Sequence, residues 1–170
     1  MYLGIDLGTS AVKTVLVDEG QRVVASRSQP LTVASPRPGY SEQDPAQWVD
    51  ATFATLDALK ADHPAELAAV DGIGLSGQMH GATLLDASLK PLRPCILWND
   101  GRSAAECAEL EQRWPALRST TGNKAMPGFT APKLLWVARH EPEIFAATRL
   151  VLLPKAYLRL VLTGEAIEDI

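Results

Sequence analysis

The alternation of apolar and polar residues along the first part of the chain predicts three consecutive β-strands. These strands are predicted at residues 2–7, 12–18 and 22–33. Residues 8–10 (Gly-Thr-Ser) and Glu19-Gly20 supply the two turns, because glycine adopts a positive φ without steric cost. No helical pattern separates the strands, so the chain is predicted to begin with a β-meander and not with a strand-helix-strand unit.

Apolar residues at helical spacing predict an amphipathic helix over about residues 45–61. Asp44 stands at the cap position, Pro45 at the first helical position and Gln47 at the capping-box position. The preceding residues 35–45 are predicted to form a loop. The positions expected to face the core are Trp48, Ala51, Thr52, Thr55, Leu56 and Leu59.

Downstream of this helix, short apolar runs alternate with helical patterns. Strands are predicted at residues 70–75, 81–86, 95–98 and 150–153. Helices are predicted at residues 103–113, 132–140 and 154–162, a helical turn at 141–147, and a loop at 118–130. A meander followed by alternating strands and helices predicts an α/β fold in which helices flank a mixed β-sheet.

Charge and hydropathy narrow the class of protein. The 170 residues are enough for one domain with a hydrophobic core, and 46% of them are hydrophobic. The formal net charge of −4 gives no electrostatic basis for binding nucleic acid or an anionic membrane. No apolar run approaches the roughly 20 residues that span a bilayer. We therefore expect neither a nucleic-acid partner nor a membrane partner.

Two cysteines, Cys95 and Cys107, occur in no metal-binding spacing. We expect both to be free thiols in a reducing compartment. The chain does not start with a basic segment followed by an apolar stretch, so no secretory leader is predicted. Together these features predict a cytoplasmic location.

A first candidate site lies at the first hairpin, where Asp6 ends a strand. The amides and hydroxyls of Gly8, Thr9 and Ser10 could bind a phosphate, and a carboxylate could orient a metal-bound water. Lys13 could add positive charge toward the phosphate. Alternatively, Asp6 only caps the turn and Lys13 is only solvated. No Walker motif GxxxxGK[ST] is present.

A second candidate site is the segment Gln78-Met79-His80, which is bracketed by Gly77 and Gly81. The flanking glycines allow polar side chains to sit close to a ligand. Gln78 and His80 offer hydrogen bonds suited to hydroxyl groups, and Met79 offers an adaptable apolar wall. The alternative is a purely structural histidine.

A third candidate site is the segment 98–102 at a strand-to-helix junction. Asn99 and Asp100 are candidate ligand-binding residues there, beside Trp98 and Arg102. The alternative is a helix cap with an Asp100–Arg102 ion pair that holds the loop. The residues alone thus indicate an α/β domain that handles phosphate and carries a polar pocket.

Several segments resemble motifs of the FGGY carbohydrate kinases. Residues 4–10 together with Lys13 are similar to the opening of that family. Residues 98–102 match its W-x-D-x-R pattern, and residues 41–45 followed by Trp48 also fit. These motifs occur in the order in which the family has them.

The remaining resemblance lies in two further segments. Residues 128–140 are similar to the first signature of the family, which centres on a lysine and a tryptophan three residues later, here Lys133 and Trp136. Residues 77–82 (Gly-Gln-Met-His-Gly-Ala) resemble the xylulokinase branch and lack the Arg-Glu pair typical of glycerol kinases. The resemblance covers essentially the whole chain.

The resemblance implies an actin-like ATPase fold of ribonuclease H type. It implies phosphorylation of D-xylulose at its 5-hydroxyl by ATP with Mg²⁺. Asp6 is implied as the activity-critical carboxylate, which also holds the metal through water, and Met79 and His80 as sugar contacts. Further substrate-binding residues are predicted to be Gln78, Asn99 and Asp100, and the phosphate-side residues Gly8, Thr9, Ser10 and Lys13.

Two departures from the family shape the expected domain organisation. Family members are much longer and have two lobes, and their proton-accepting aspartate opens the second lobe. Residues 1–170 are therefore predicted to be most of the N-terminal lobe, inactive alone, with the second lobe absent. Ala156 stands where the family usually has aspartate, so a local cap or ion pair of the family is expected to be weaker here.

Three alternatives remain for the function. The chain belongs to a xylulose-phosphorylating enzyme, to a sibling kinase for another ketose or sugar acid, or to a non-catalytic sugar-binding or regulatory module on the same fold. The expected partners are a small sugar and ATP, and a homodimer is left open.

Overall fold

The structure is a computed structural model that describes residues 1–167, and these residues form two compact units. The first unit comprises residues 1–33, 45–78 and 155 onward, and the second comprises residues 34–44 and 79–154. Residues 168–170 of the predicted domain lie outside the described residues. The two units are described separately below.

The strands of the described chain are β1 (Tyr2–Leu7), β2 (Ala11–Val17), β3 (Val23–Pro30), β4 (Glu42–Gln43), β5 (Gly72–Gly77), β6 (Thr83–Leu85), β7 (Cys95–Ile96) and β8 (Leu150–Leu152). The helices are α1 (Pro45–Asp62), α2 (Pro64–Ala68), α3 (Ala104–Arg113), α4 (Leu117–Thr121), α5 (Thr130–His140), α6 (Pro142–Ala147) and α7 (Pro154–Thr163).

The first unit is built on a four-stranded sheet of order β3-β2-β1-β5. β1 pairs antiparallel with β2 and parallel with β5, and β2 pairs antiparallel with β3. The predicted meander is therefore confirmed, with β5 added on its β1 side. Along β1, Leu3, Ile5 and Leu7 are buried whereas Asp6 is exposed, because successive side chains point to opposite faces of a strand.

Helix α1 packs against β2 and β3, as its apolar stripe predicts. Of the six predicted core positions, only Leu56 is not buried. The Gln47 side chain accepts a hydrogen bond from the Thr32 backbone nitrogen over 3.0 Å. In α7, Tyr157 packs edge-on against Trp48, and Ala156 is buried, so a methyl group suits this position.

The second unit contains two small antiparallel sheets, β4-β7 and β6-β8, which an isolated bridge between Ala82 and Ile96 connects. Helix α5 contributes Trp136 and Val137 to the core of this unit, where they pack with Ala82, Leu84 and Ile96. The helix predicted at residues 103–113 is confirmed as α3, and the helical turn predicted at 141–147 is confirmed as α6.

Three short elements were missed by the sequence prediction. β4 lies within the predicted loop 35–45, and α4 lies within and just before the predicted loop 118–130. α2 follows α1 directly, with a proline in its first turn. Elements of two to five residues are too short to show a periodic pattern, so only their tertiary contacts reveal them.

Cys95 and Cys107 are both free thiols, as expected, whereas the reducing compartment stays a prediction. Cys95 is buried, and burial raises the pKa of its thiol to about 12. Across residues 1–167, none of the helices has the length and apolar character that crossing a membrane requires.

Candidate functional site

The first hairpin holds Asp6 on the exposed face of the sheet in the first unit. Asp6 lies opposite Lys13 on β2 and opposite Ser76 on β5. These three side chains line an open pocket of about 360 Å³ whose floor includes Gly4 and Gly74. A carboxylate, an ammonium and a hydroxyl thus converge over a floor that glycines leave free of side chains.

The turn between β1 and β2 is closed by a hydrogen bond from the Gly8 nitrogen to the Ala11 carbonyl oxygen over 3.0 Å. This bond occupies the Gly8 amide, so Asp6 does not cap it. A Cβ atom at Gly8 would lie 3.1 Å from the Ala11 carbonyl oxygen, which explains the preference for glycine. The exposed Ser10 hydroxyl and the Thr9 side chain remain candidates for contact with phosphate.

Gln78 belongs to the first unit and is buried. Its backbone nitrogen donates to the Leu7 carbonyl oxygen over 2.8 Å, and its side-chain oxygen accepts a hydrogen bond from the Thr9 hydroxyl over 3.4 Å. Gln78 therefore joins the end of β5 to the phosphate-side turn. A ligand role for its side chain stays a prediction.

Met79 and His80 lie in the second unit at a sharp bend of the backbone. His80 has a φ of 62°, which is the left-handed region that residues with a Cβ adopt rarely, and Gly81 donates to the Met79 carbonyl oxygen over 2.9 Å. The Met79 side chain is 61% exposed and free to contact a ligand. A Cβ at Gly81 would lie 2.6 Å from Pro154, so glycine is required there.

The His80 ring is half-buried and packs against Phe129, with 4.7 Å between the ring centroids. Burial, with a contribution from Lys133, lowers the pKa of His80 below its ordinary value. His80 is therefore neutral near pH 7, and a neutral imidazole can both donate and accept hydrogen bonds. The ring also lines a pocket of about 190 Å³ together with Phe129 and Pro132.

Two side chains of helix α5 donate hydrogen bonds to the His80 backbone. Lys133 is fully buried, and its Nζ donates to the carbonyl oxygens of His80 over 2.8 Å and Gly128 over 2.6 Å. The Thr130 hydroxyl donates to the same His80 oxygen over 3.1 Å. Burial lowers the pKa of Lys133 to about 8. Sequence reasoning marked Lys133 only as part of a signature and gave it no role.

The segment 98–102 is tied together by a buried ion pair. Arg102 and Asp100 approach to 2.7 Å, and Asp100 also accepts a hydrogen bond from the Ser41 nitrogen over 2.6 Å. Burial disfavours the charged guanidinium, but hydrogen bonds to Asp100 and Glu42 outweigh burial and raise the pKa of Arg102. The ion pair that the sequence offered as an alternative is present, whereas Asn99 is exposed.

A wider charge network continues from this pair. Glu42 bridges Arg102 and Arg93, and Arg93 reaches Glu141 over 2.8 Å. The Arg102 guanidinium also lies over the Tyr40 ring, 3.9 Å from its centroid. These residues line a polar pocket of about 580 Å³ in the second unit.

Comparison with known proteins identifies the family. The model of the "FGGY family of carbohydrate kinases, N-terminal domain" matches residues 1–170. This chain belongs to the FGGY family of carbohydrate kinases, and the expected resemblance is confirmed.

Individual relatives agree with this assignment. The xylulose kinase of Escherichia coli is 59% identical over 169 residues, which cover 99% of this chain and 34% of that protein. A solved kinase structure from Brucella ovis, described as a xyloylose kinase, has a TM-score of 0.94 at 63% identity and is matched over 96% of this chain and 34% of its own. The xylulose kinase structure from Rhodospirillum rubrum has a TM-score of 0.94 at 38% identity. The match covers 98% of this chain and 35% of that chain.

These comparisons establish the fold and show how much of each relative's length this chain matches. The predicted α/β, actin-like ATPase fold of the sugar kinases is confirmed. The chain spans about a third of the length of the relatives it matches. The predicted roles of the individual site residues are not tested by these comparisons and stay predictions.

Proposed function

We propose that this chain is the sugar-binding part of an enzyme that phosphorylates D-xylulose at its 5-hydroxyl with ATP and Mg²⁺. The observation that supports this most strongly is the 59% identity over almost the whole chain to a xylulose kinase. The bend at Met79 and His80 adds the local chemistry, because it exposes a thioether beside a neutral imidazole. Both groups suit a small polyol that has an apolar carbon face and hydroxyl edges.

On the sugar side, Met79 and His80 would bind and orient the substrate. A neutral His80 can accept a hydrogen bond from one hydroxyl and donate to another oxygen of the sugar. The packing of Phe129 on the imidazole limits ring rotation. We propose a supporting role for Asp100, because Arg102 and Ser41 already occupy both of its oxygens.

On the nucleotide side, the donor set fits a magnesium nucleotide. Within residues 1–167 no cluster of His, Cys, Asp and Glu could hold a metal ion by itself. Mg²⁺ in kinases is typically held by one or two carboxylates, water and substrate phosphates, so Asp6 through a water molecule is sufficient from this chain. Asp6 is exposed, with Lys13 and Ser76 beside it in the same pocket.

Bound Mg²⁺-ATP supplies the transferable phosphoryl group and neutralises part of its charge. The residues of this chain would contribute position and charge: Asp6 would hold the metal through water, and Lys13 and Ser10 would bind phosphate oxygens. From the family resemblance, we propose that an aspartate outside these residues would take the proton of the sugar hydroxyl. Catalysis of this type depends mainly on positioning and electrostatics.

The decisive experiment measures phosphoryl transfer by the complete protein with ATP, Mg²⁺ and a panel of D-xylulose, D-ribulose, gluconate and glycerol. We expect the highest kcat/KM with D-xylulose and little turnover from residues 1–170 alone. A clear preference for another sugar would establish a sibling kinase. Binding without turnover on every sugar would establish a non-catalytic module. Robust activity of the isolated chain would refute the assignment of the proton acceptor.

A further inference from the structure

We propose that Lys133 is a positioning residue for the sugar site, and that together with Thr130 it fixes the backbone of His80 in the orientation that presents the imidazole to the substrate. The proposal rests on the proposed function, because it takes His80 as a sugar contact. Neither Lys133 nor Thr130 needs to touch the sugar. Both act through one atom, the His80 carbonyl oxygen.

The first argument is conformational. Among the described residues other than glycine, only Gln21, His80 and Leu89 have a positive φ. Gln21 and Leu89 lie exposed in turns, whereas His80 lies between β5 and β6 at the candidate site. A left-handed backbone is unfavourable for a residue with a Cβ, because that atom comes too close to the following carbonyl oxygen. Such a conformation persists only where the surroundings impose it, and the two donors from α5 do so.

The second argument is the environment of the ammonium group. Lys133 is fully buried, and among the described residues its Nζ makes no ion pair, although the Asp100 carboxylate attracts it from a longer distance. Its hydrogen bonds go to two carbonyl oxygens, those of His80 and Gly128. Burying a cation without an anionic partner is unfavourable, and a methionine would fill the same volume without that cost. The ammonium is therefore best explained by what it holds in place.

The third argument is that one short segment contacts both the side chain and the backbone of His80. Phe129, immediately before α5, packs on the imidazole ring, while Thr130 and Lys133 from the first turn of α5 bind the carbonyl oxygen. Gly128 packs closely against the Trp98 backbone, since a Cβ at this position would lie 2.6 Å from the Trp98 carbonyl oxygen. A change in α5 at these positions is therefore transmitted to the His80 ring.

The test uses the complete enzyme and three substitutions. Lys133→Met removes both hydrogen bonds at nearly constant volume, Thr130→Val removes one, and Thr130→Ser retains it. We expect Lys133→Met to reduce kcat/KM for D-xylulose about 100-fold, because small misplacements of a positioned group have effects of that size. The KM for ATP should change less than about threefold, since a general loss of fold would affect both substrates. We expect Thr130→Val to lose about tenfold and Thr130→Ser to approach the parent.

A double-mutant cycle separates positioning from mere structural support. In a His80→Ala background the imidazole is gone, so Lys133→Met should cause little further loss of kcat/KM for D-xylulose. Fully additive losses would overturn the proposal, as would equal losses in the xylulose and ATP parameters of Thr130→Val. If His80→Ala alone leaves xylulose turnover intact, the sugar-contact assignment in the proposed function fails instead. The exposed Lys90→Met is the matched control and should behave as the parent enzyme.

Discussion

Arg102 donates three hydrogen bonds to the Asp100 carboxylate, from its backbone nitrogen, Nε and Nη2, over 2.9, 2.9 and 2.7 Å. The carboxylate also accepts from Ser41, which is 59 residues earlier in the chain. The pair therefore does more than stabilise its own loop, because it fixes that loop to the strand region around β4. Trp98 and Asn99 belong to this loop, and both are exposed to solvent.

Replacing Arg102 with methionine is expected to destabilise the protein strongly. The substitution leaves the buried Asp100 and Glu42 carboxylates without their shared partner. Removing one partner of a buried ion pair costs about 3–5 kcal/mol. Arg113→Met is the matched control, since Arg113 is exposed and pairs with Glu109 on the helix surface, where such pairs contribute about 0.5 kcal/mol or less. Urea-induced unfolding of both variants measures the difference, and equal effects would contradict a structural role for this ion pair.

Asp6→Asn is expected to abolish most phosphoryl transfer while leaving the fold intact. Asp6 lies on the exposed face of the sheet, so the amide adds no buried polar group. The loss of the negative charge removes the group proposed to orient metal-bound water, and we expect kcat to fall by about 100-fold or more. Asp57→Asn, on the exposed side of α1, is the control. A normal kcat for Asp6→Asn would exclude the proposed role of this carboxylate.

The fold was predictable wherever local pattern and tertiary structure agree. The β1–β2–β3 meander and helix α1 have clear periodicity, turn residues and a cap signal, so their positions follow from the chain. β4 could not be predicted from the sequence pattern. Glu42 and Gln43 are polar, and they are buried only through pairing with Ile96 and Cys95, which lie far along the chain. A non-local pairing of two residues leaves no local signal.

For the candidate site, the sequence indicated the segments but not the contacts that hold them in place. The glycines around Met79 and His80 marked the bend, and Asp6 was correctly placed at the end of a strand. The contact between Lys133 and His80 spans 53 residues of sequence, so nothing near either residue indicates it. The turn at Gly8 also differs from the simple expectation, because its amide is used within the hairpin.

Gly81→Ala is expected to lower stability and to disturb the sugar site together. The new Cβ would lie 2.6 Å from Pro154 Cγ and 2.9 Å from Cys95 Sγ, which are parts of a packed core. Overpacking of this kind costs about 1–3 kcal/mol. Because Gly81 follows His80 directly, we also expect a higher KM for D-xylulose. Gly101→Ala is the control, since its Cβ would meet only the Gly39 carbonyl oxygen at 3.7 Å; an equally small effect at Gly81 would contradict the packing described here.

The buried Lys133 should make stability depend on pH in the alkaline range. Its pKa is lowered from 10.5 to about 8 in the folded protein, so below pH 8 both states are protonated and the cost of burying the charge is fully present. As the pH rises from 8 to 10.5, the folded protein loses this proton while the unfolded chain keeps it, and the native state gains stability. Relative to Lys133→Met, the protein should gain up to roughly 3 kcal/mol across this range.

The comparison with Lys133→Met isolates this effect, because other alkaline titrations are common to both proteins. The neighbouring Cys95 thiol does not interfere, since burial raises its pKa to about 12, above the range studied. Urea-induced unfolding at pH 7, 8, 9 and 10 gives the two free energies of unfolding, and their difference should change most between pH 8 and 10. The Lys90→Met variant should show no such change, because Lys90 is exposed in the folded protein. A constant difference between the protein and Lys133→Met would show that Lys133 titrates as an ordinary lysine, and its ammonium would then not carry the cost of burial described here.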